Sequence, residues 1–315
     1  MREIKLDLHI GNCLNILQKL PDNHYHTCVT SPPYWGLRNY KNEEQIGLEE
    51  TPGEYVNSLV QVFKQVWRVL RDDGTVWLNL GDSYYNYRPS LGQAMPKQTV
   101  SKTGQDLPQS NPRRANKING LKEKDLVGIP WRVALALQED GWYLRQDIIW
   151  HKPNPMPESV KDRCTKAHEY IFLLSKKPHY YFDSDAIKEE AVGERWGGNT
   201  PINKENSKDK DGVFSGLTRE RQMLSETRNK RSVWSVCPSA YKEAHFAVFP
   251  EELITPCILS GSPKYGNVLD PFGGSGTVGL ACKRHKRNVT LIELNPDYEQ
   301  FIRSRYKEPV QDLLV

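Results

Sequence analysis

The sequence predicts a doubly wound α/β fold whose chain is circularly permuted relative to a sheet that begins at its glycine turn. Three observations lead there. Val268-Leu269-Asp270 reads as a short apolar strand running into the turn Pro271-Phe272-Gly273-Gly274-Ser275-Gly276, with an apolar helix beginning near Thr277. Glu293 closes the next strand, Asn288–Glu293, yet only 22 residues follow it in a chain of 315, too few to finish a nucleotide-binding half. Near the N-terminus, Thr27-Cys28-Val29 is a second apolar strand and delivers the loop Thr30-Ser31-Pro32-Pro33-Tyr34-Trp35. The missing strands therefore come from the front of the chain.

The glycine turn is a ligand site by its chemistry. Glycines let the backbone take positive φ and let a ligand approach closely, and the helix behind them offers free N–H groups. Gly274, Gly276 and Gly279 satisfy GxGxxG, with Glu293 at about the spacing of a ribose-binding acid. A dinucleotide fits less well than a ligand carrying an ammonium group, because an acid followed by proline sits at the strand tip.

Taken in order, Lys5 to Ile10 reads as a strand ending at Gly11-Asn12, followed by a short helix with Leu14, Leu17 and Leu20. Pro21-Asp22-Asn23 is turn chemistry, and the next strand carries the Ser31 loop. Thr51-Pro52-Gly53-Glu54 is a capping box with proline at the first helical position. The helical face Val56, Leu59, Val60, Phe63, Val66, Trp67, Leu70 follows and is stopped at Asp72-Asp73-Gly74. Thr75 to Leu80 is a buried strand closed by Gly81-Asp82. A helix near Ile129 to Glu139, strands at Leu144–Trp150, His168–Leu174 and Tyr180–Phe182, a helix over Pro250–Leu259 and a last helix over Pro296–Tyr306 complete the elements.

Two polar stretches interrupt this pattern. From 88 to 124 the bases Arg88, Lys97, Lys102, Arg113, Arg114, Lys117, Lys122 and Lys124 face only Asp106 and Glu123, which suits an arm that is mobile when free and follows phosphates when engaged. Between 188 and 232 acids and bases nearly balance, so charge alone assigns no partner there. The expected organisation is 1–87 and 121–187 as sheet, 88–120 as basic insert, 188–244 as a second insert and 245–315 as the glycine-turn half.

Composition bounds the rest. The net charge is +4 with 26% charged residues, the mean hydropathy is −0.67, and no run approaches the roughly 18 apolar residues of a membrane span. The opening Met-Arg-Glu-Ile-Lys-Leu lacks a signal-peptide core. The 6 cysteines include no CxxC pair and fit neither a zinc site nor a disulfide framework. A reduced, cytoplasmic protein without a metal is expected.

Ser31-Pro32-Pro33-Tyr34 followed far downstream by Asp270-Pro271-Phe272-Gly273-Gly274-Ser275-Gly276-Thr277 resembles the β-group amino-methyltransferases of DNA, in which the two motifs stand in this order. Ile149-Trp150-His151-Lys152-Pro153-Asn154-Pro155-Met156-Pro157 and His245-Phe246-Ala247-Val248-Phe249-Pro250 extend the resemblance over most of the chain outside the polar stretches. It implies a Rossmann-like, permuted methyltransferase sheet. The implied methyl donor is S-adenosylmethionine and the implied substrate double-stranded DNA, with a cognate restriction endonuclease as a possible companion. Segment 188–244 then takes the place of the target-recognition region.

The resemblance assigns the cofactor to Asp270, Pro271, Phe272, Gly273, Gly274, Ser275, Gly276, Thr277 and Glu293. In this scheme Asp270 meets the ammonium group and Glu293 both ribose hydroxyls. Asn12 stands where the family carries an acid; its amide oxygen can still accept from the adenine amino group. Phe249 lies in the segment that lines the methionine end. Catalysis falls to Ser31, Pro32, Pro33 and Tyr34: the Ser31 oxygen and Pro32 carbonyl accept the protons of an exocyclic amino group, and Tyr34 offers a stacking face. Proline-proline presets the loop. The base must be flipped out of the duplex at a cost of a few kcal/mol, and no strong general base is required. The Trp150-His151-Lys152-Pro153 turn is expected to shape the crevice and meet phosphate rather than to supply a catalytic histidine.

By the same resemblance, Ser rather than Asp at position 31 implies cytosine N4 as the target. Adenine N6 remains the alternative, followed by the amide of a protein glutamine and by a non-catalytic DNA-binding protein that keeps the pocket. Cytosine C5 methylation would need a cysteine after proline. Pro256-Cys257 is such a pair, but it sits in an apolar helix and reads as core.

Overall fold

The computed structural model describes residues 3–37, 42, 44–87, 113–114, 118–191, 227–238 and 249–307. Among them, β1 (Leu6–Ile10), β2 (Tyr25–Thr30), β3 (Leu70–Leu80), β4 (Tyr143–His151), β5 (His168–Ser175), β6 (Val233–Ser235), β7 (Asn267–Asp270) and β8 (Asn288–Glu293) form one sheet. Their spatial order is β1-β8-β7-β2-β3-β5-β4-β6. Neighbours run parallel except around β5, which is antiparallel to both β3 and β4.

The chain winds outward in both directions from the β7–β2 pair: β8 and β1 lie on one side, β3 and the remaining strands on the other. Val268 pairs with Thr27 and Leu269 with Cys28, so the glycine turn and the Ser31 loop leave adjacent strand tips. That pair is the topological switch point, where open α/β sheets bind ligands. The permutation expected from the sequence is what places the last strands at the centre beside one of the first.

Helices cover both faces. α1 (Cys13–Leu17), α2 (Pro52–Val69) and α3 (Ile129–Glu139) pack on one side around Leu59, Phe63, Leu78 and Phe172. On the other, α4 (Glu251–Gly261), α5 (Thr277–Arg284) and α6 (Tyr298–Lys307) pack around Ile254, Val278, Ile302 and Trp77. α2 forms for the expected reason. Thr51 Oγ1 accepts from Glu54 N at 3.2 Å, and Glu54 Oε2 accepts from Thr51 N at 3.1 Å. Its apolar stripe, with Leu59 and Phe63 fully buried, contributes about 1.5–3 kcal/mol per such side chain.

Two expectations change. β3 starts at Leu70, because Tyr25 pairs with Leu70 and Thr27 with Thr75, leaving Arg71–Gly74 as an irregularity opposite His26. Gly74 is required there, since a Cβ would stand 2.9 Å from the Arg71 carbonyl oxygen. Tyr180–Phe182 is not a strand: Tyr181 N donates to Asp73 O at 2.9 Å, and Phe182 instead stacks on Trp77.

Most of 88–120 and of 188–244 lies outside the described residues, as do His245 to Val248. Asn86–Tyr87 pairs in parallel with Arg113–Arg114. β6, late in the second segment, joins the main sheet and buries Trp234.

Candidate active site

At the tip of β7, Asp270 is 1% exposed. Its Oδ1 accepts from Thr30 Oγ1 at 2.6 Å and from Phe272 N at 3.0 Å. Burial pushes this carboxyl up to about 7 against the lowering effect of the Thr30 and Phe272 hydrogen bonds, and Glu293 adds like-charge repulsion. The turn that follows is closed by Gly276 N donating to Gly273 O at 2.8 Å and Gly273 N donating to Ile292 O at 2.7 Å. Gly274 and Gly276 hold φ of 51° and 78°, in the left-handed region that only glycine enters freely. A Cβ on Gly276 would also come within 3.0 Å of Ile302.

Within this motif Pro271, Gly273, Ser275, Gly276 and Thr277 are buried, while Phe272 and Gly274 stay partly exposed. Ser275 Oγ and Thr277 Oγ1 bond one another at 3.2 Å. The accessible edge of the turn is thus mostly backbone. Glu293 ends β8 beside it; Oε2 accepts from Gly274 N at 2.7 Å and Oε1 from Asn295 N at 2.8 Å. Burial raises its carboxyl, opposed by the Asn295, Gly274 and Leu294 amides. Asn12 caps α1, its Oδ1 accepting from Leu14 N at 3.0 Å and Asn15 N at 3.3 Å. Phe249 precedes α4 and packs against the core of that face.

At the tip of β2 the second motif is braced on all sides. Tyr55 OH donates to Pro33 O at 2.9 Å, Gly36 N donates to Gly47 O at 2.7 Å, and Pro32 is buried. The Tyr34 ring lies against Gly81, where a Cβ would be 2.5 Å from Tyr34 Cε2. The Tyr34 hydroxyl is turned inward, 2.7 Å from Glu169 Oε2 and 3.0 Å from Asn79 Oδ1. Ser31 Oγ lies 3.3 Å from the same Asn79 oxygen and 3.4 Å from the Tyr34 hydroxyl. Asn79 Nδ2 donates to Tyr170 O at 3.1 Å and reaches Glu169 Oε2 at 3.4 Å. Lys152 Nζ is ion-paired with Glu169 Oε1 and lies over the Trp150 ring.

Two motifs, one apolar-acidic and one hydroxyl-bearing, therefore meet at one switch point. The family model described as DNA methylase matches residues 25–304, from β2 through α6. The chain belongs to the DNA methylase family. Among its relatives, the methylase is 46% identical over 294 residues to the type II methyltransferase M.Cfr9I of Citrobacter freundii, covering 91% of this chain and 83% of the relative. It is 42% identical over 301 residues to M.SmaI of Serratia marcescens, covering 94% and 89%. In fold it resembles the PvuII DNA methyltransferase (cytosine-N4-specific), with TM-score 0.63 and 18% identity over 98% of this chain and 88% of the other. It also resembles M1.HpyAVI in its SAM complex, with TM-score 0.52 and 16% identity over 96% and 100%. Its architecture is that of S-adenosylmethionine-dependent methyltransferases.

Three residues of the site differ from what the sequence alone suggests. Lys152, in the turn expected to shape the crevice and meet phosphate, is ion-paired with Glu169, a partner the sequence does not suggest. Asn79 and Glu169 carry no sequence-based expectation. An amide and an acid set within otherwise apolar strands were the available signals, but their convergence depends on the β3–β5 register, in which Leu80 faces Tyr170. Cys257 is buried within α4, its thiol pushed up by burial, so it offers no thiolate.

Proposed function

We propose that this methylase transfers a methyl group from S-adenosylmethionine to N4 of a cytosine flipped out of double-stranded DNA. The observation that carries it is the juxtaposition at the β7–β2 switch point, where Thr30 hydrogen-bonds Asp270 while the next residue, Ser31, presents its hydroxyl at the neighbouring tip.

The residues present fit the cofactor. The glycine turn offers backbone without side chains, Asp270 is a buried acid suited to an ammonium group, and Glu293 is an acid at a strand end suited to ribose hydroxyls. Phe249 stands at the start of α4, and Asn12 lies beyond β1. When bound, S-adenosylmethionine supplies an electrophilic methyl group. The chain's own part is to hold the amino group. The Ser31 hydroxyl donates inward, toward Asn79 Oδ1 and the Tyr34 oxygen, which leaves its lone pairs to accept a proton from the base. The stiff Pro32-Pro33 loop, pinned by Tyr55, fixes that geometry before the base arrives.

Ser rather than Asp at position 31 supports cytosine over adenine by the family resemblance, and a neutral hydroxyl costs less to bury beside a base than a carboxylate does. The similarity to a cytosine-N4-specific fold relative points the same way. The basic stretch within 88–124 is assigned to phosphate contact and 188–244 to target recognition, with a cognate restriction endonuclease as companion in the cytoplasm. Among the described residues no helix is long and apolar enough to cross a membrane. Digestion of DNA methylated by the purified protein should yield N4-methylcytosine. N6-methyladenine as sole product would overturn the base assignment.

A further inference from the structure

Methylating an amino nitrogen leaves one proton too many. The nitrogen–methyl bond forms as the sulfur–methyl bond breaks, and the electron pair of the broken bond goes to sulfur, which becomes neutral. The nitrogen then carries two protons and a positive charge, and one proton must leave. The loop that receives the base is closed on the protein side: Pro32 is buried, Tyr55 holds the Pro33 carbonyl, and Gly81 lies against the Tyr34 ring.

We propose that Glu169, paired with Lys152, is the destination of that proton, reached through Ser31 and Tyr34. The steps lie 3.4 Å apart between Ser31 Oγ and the Tyr34 hydroxyl, and 2.7 Å apart between that hydroxyl and Glu169 Oε2. Ser31 takes the proton from nitrogen as it passes its own to Tyr34, and Tyr34 passes its own to Glu169, which becomes the neutral acid. The Tyr34 hydroxyl has one proton to donate. The carboxylate is its nearer and stronger acceptor, so the Tyr34 oxygen keeps its lone pairs for the Ser31 proton, which it shares with Asn79 Oδ1. Tyr34 is a conduit and not a resting base, because burial and the adjacent Glu169 hold its ionisation well above the ordinary tyrosine range.

Around Glu169 stand Lys152 on the turn after β4, His168 on its own strand, Tyr34, and Lys166, whose buried Nζ has no hydrogen-bond partner among the described residues. Asp82 and Glu158 lie beyond Lys166 and act on it from other elements. Glu169 is 16% exposed at its side chain, so a proton delivered there can leave to solvent. Glu169 acts through Tyr34 and Ser31 and is a positioning and relay residue. The proposal rests on the methyltransferase function above and holds for either exocyclic amino group.

The test uses the full chain with unmethylated bacterial genomic DNA and S-adenosylmethionine under single-turnover conditions. Glu169→Gln should slow methyl transfer by about 10²-fold while cofactor affinity stays within about twofold of wild type. Its residual rate should rise with pH, with hydroxide replacing the lost acceptor, and formate should restore rate to Glu169→Ala. In protein labelled with 3-fluorotyrosine, the Tyr34 fluorine resonance, assigned by its loss in Tyr34→Phe, should move between wild type and Glu169→Gln at one fixed pH, without cofactor or DNA, because the hydroxyl loses its carboxylate acceptor. An unchanged rate would overturn the proposal, as would a slowed rate with the wild-type pH profile and no formate rescue. A Tyr34 fluorine resonance at the same position in both proteins would also overturn it. The methylated nucleoside is identified in parallel: N6-methyladenine would sink the cytosine assignment alone, and absence of any methylated base would sink both.

Discussion

Thr30 and Asp270 stand 240 residues apart in the chain, and Thr30 Oγ1 donates to Asp270 Oδ1 across 2.6 Å. The bond ties the strand that presents the target-base loop to the strand that presents the cofactor turn. Because burial lifts the Asp270 carboxyl to about 7, its charge depends on pH in the working range. A cofactor ammonium group favours the ionised form. Cofactor affinity should therefore rise from about pH 6 to about pH 8, and binding below the midpoint should release a proton. Calorimetry in two buffers of different ionisation enthalpy measures that release; pH-independent affinity would show that Asp270 does not meet the ammonium group.

The same carboxyl leaves a signature on stability. Its folded value lies above the unfolded one of 3.8, so the folded state holds the proton more tightly. The resulting contribution is full below the unfolded value and is lost as pH rises through about 7. Asp270→Asn should flatten the fall in cofactor-free melting temperature across that window. An equally steep fall in the variant would place its origin in other groups.

Gly81 is a steric test of the target loop. A Cβ there would be 2.5 Å from Tyr34 Cε2 and 2.9 Å from Cδ2, so the ring must move. Gly81→Ala should cost about 1–3 kcal/mol of stability by overpacking and slow methyl transfer by about 10²-fold through misplacement of the loop. Cofactor affinity should survive, because the turn after β7 is untouched. Urea unfolding, single-turnover rate and calorimetry separate the three, and a wild-type rate would show that the Tyr34 position is not required.

The parts of this site that are short in sequence were legible in it. Asp270, the glycine turn and Glu293 span one strand–helix–strand unit, and Ser31 to Tyr34 are contiguous, so residue type and order sufficed. Capping chemistry likewise placed α2, because Thr51 and Glu54 satisfy each other locally. Asn79 and Glu169 were not legible because they meet only through an antiparallel pairing whose register no local pattern encodes. The Lys152–Glu169 ion pair was not legible for the same reason, its partner lying on another strand. Tyr180–Phe182 has the aromatic composition of a strand, but Tyr181 N bonds to Asp73 O outside any ladder and Phe182 stacks on Trp77.

Glu293 is the residue proposed to hold the cofactor ribose. Both carboxylate oxygens already receive backbone N–H groups, from Gly274 and Asn295, which fixes the acid for further bonds from ribose hydroxyls. Glu293→Gln replaces one acceptor oxygen by a donor facing an amide N–H. The rise in melting temperature produced by S-adenosylmethionine should shrink strongly, whereas NAD should produce none in either protein. A saturable NAD shift as large as that of S-adenosylmethionine would contradict the cofactor assignment.

The basic stretch between β3 and α3 is the segment proposed to contact DNA phosphates. Its described ends are fastened beside the end of β3: Arg113–Arg114 pairs with Asn86–Tyr87, and Ile118 N donates to the Tyr85 hydroxyl at 2.9 Å. Asp82 holds the start of α3, accepting from Gly128 N at 3.0 Å and Ile129 N at 3.1 Å. The described ends of the segment thus meet one another after β3, and Lys97, Lys102, Arg113, Arg114 and Lys117 fall within it in sequence. Each phosphate neutralised by one of these cations releases bound counterions, so affinity should fall steeply with salt. Changing all five to Gln should weaken duplex binding and reduce the slope of log affinity against log salt by about 0.9 for each phosphate no longer neutralised. Cofactor affinity should be unchanged, since the glycine turn and Glu293 lie on other elements. Fluorescence anisotropy with a labelled duplex at several salt concentrations measures the slope. A slope equal to wild type would mean that these cations only solvate the segment and that phosphate is bound elsewhere.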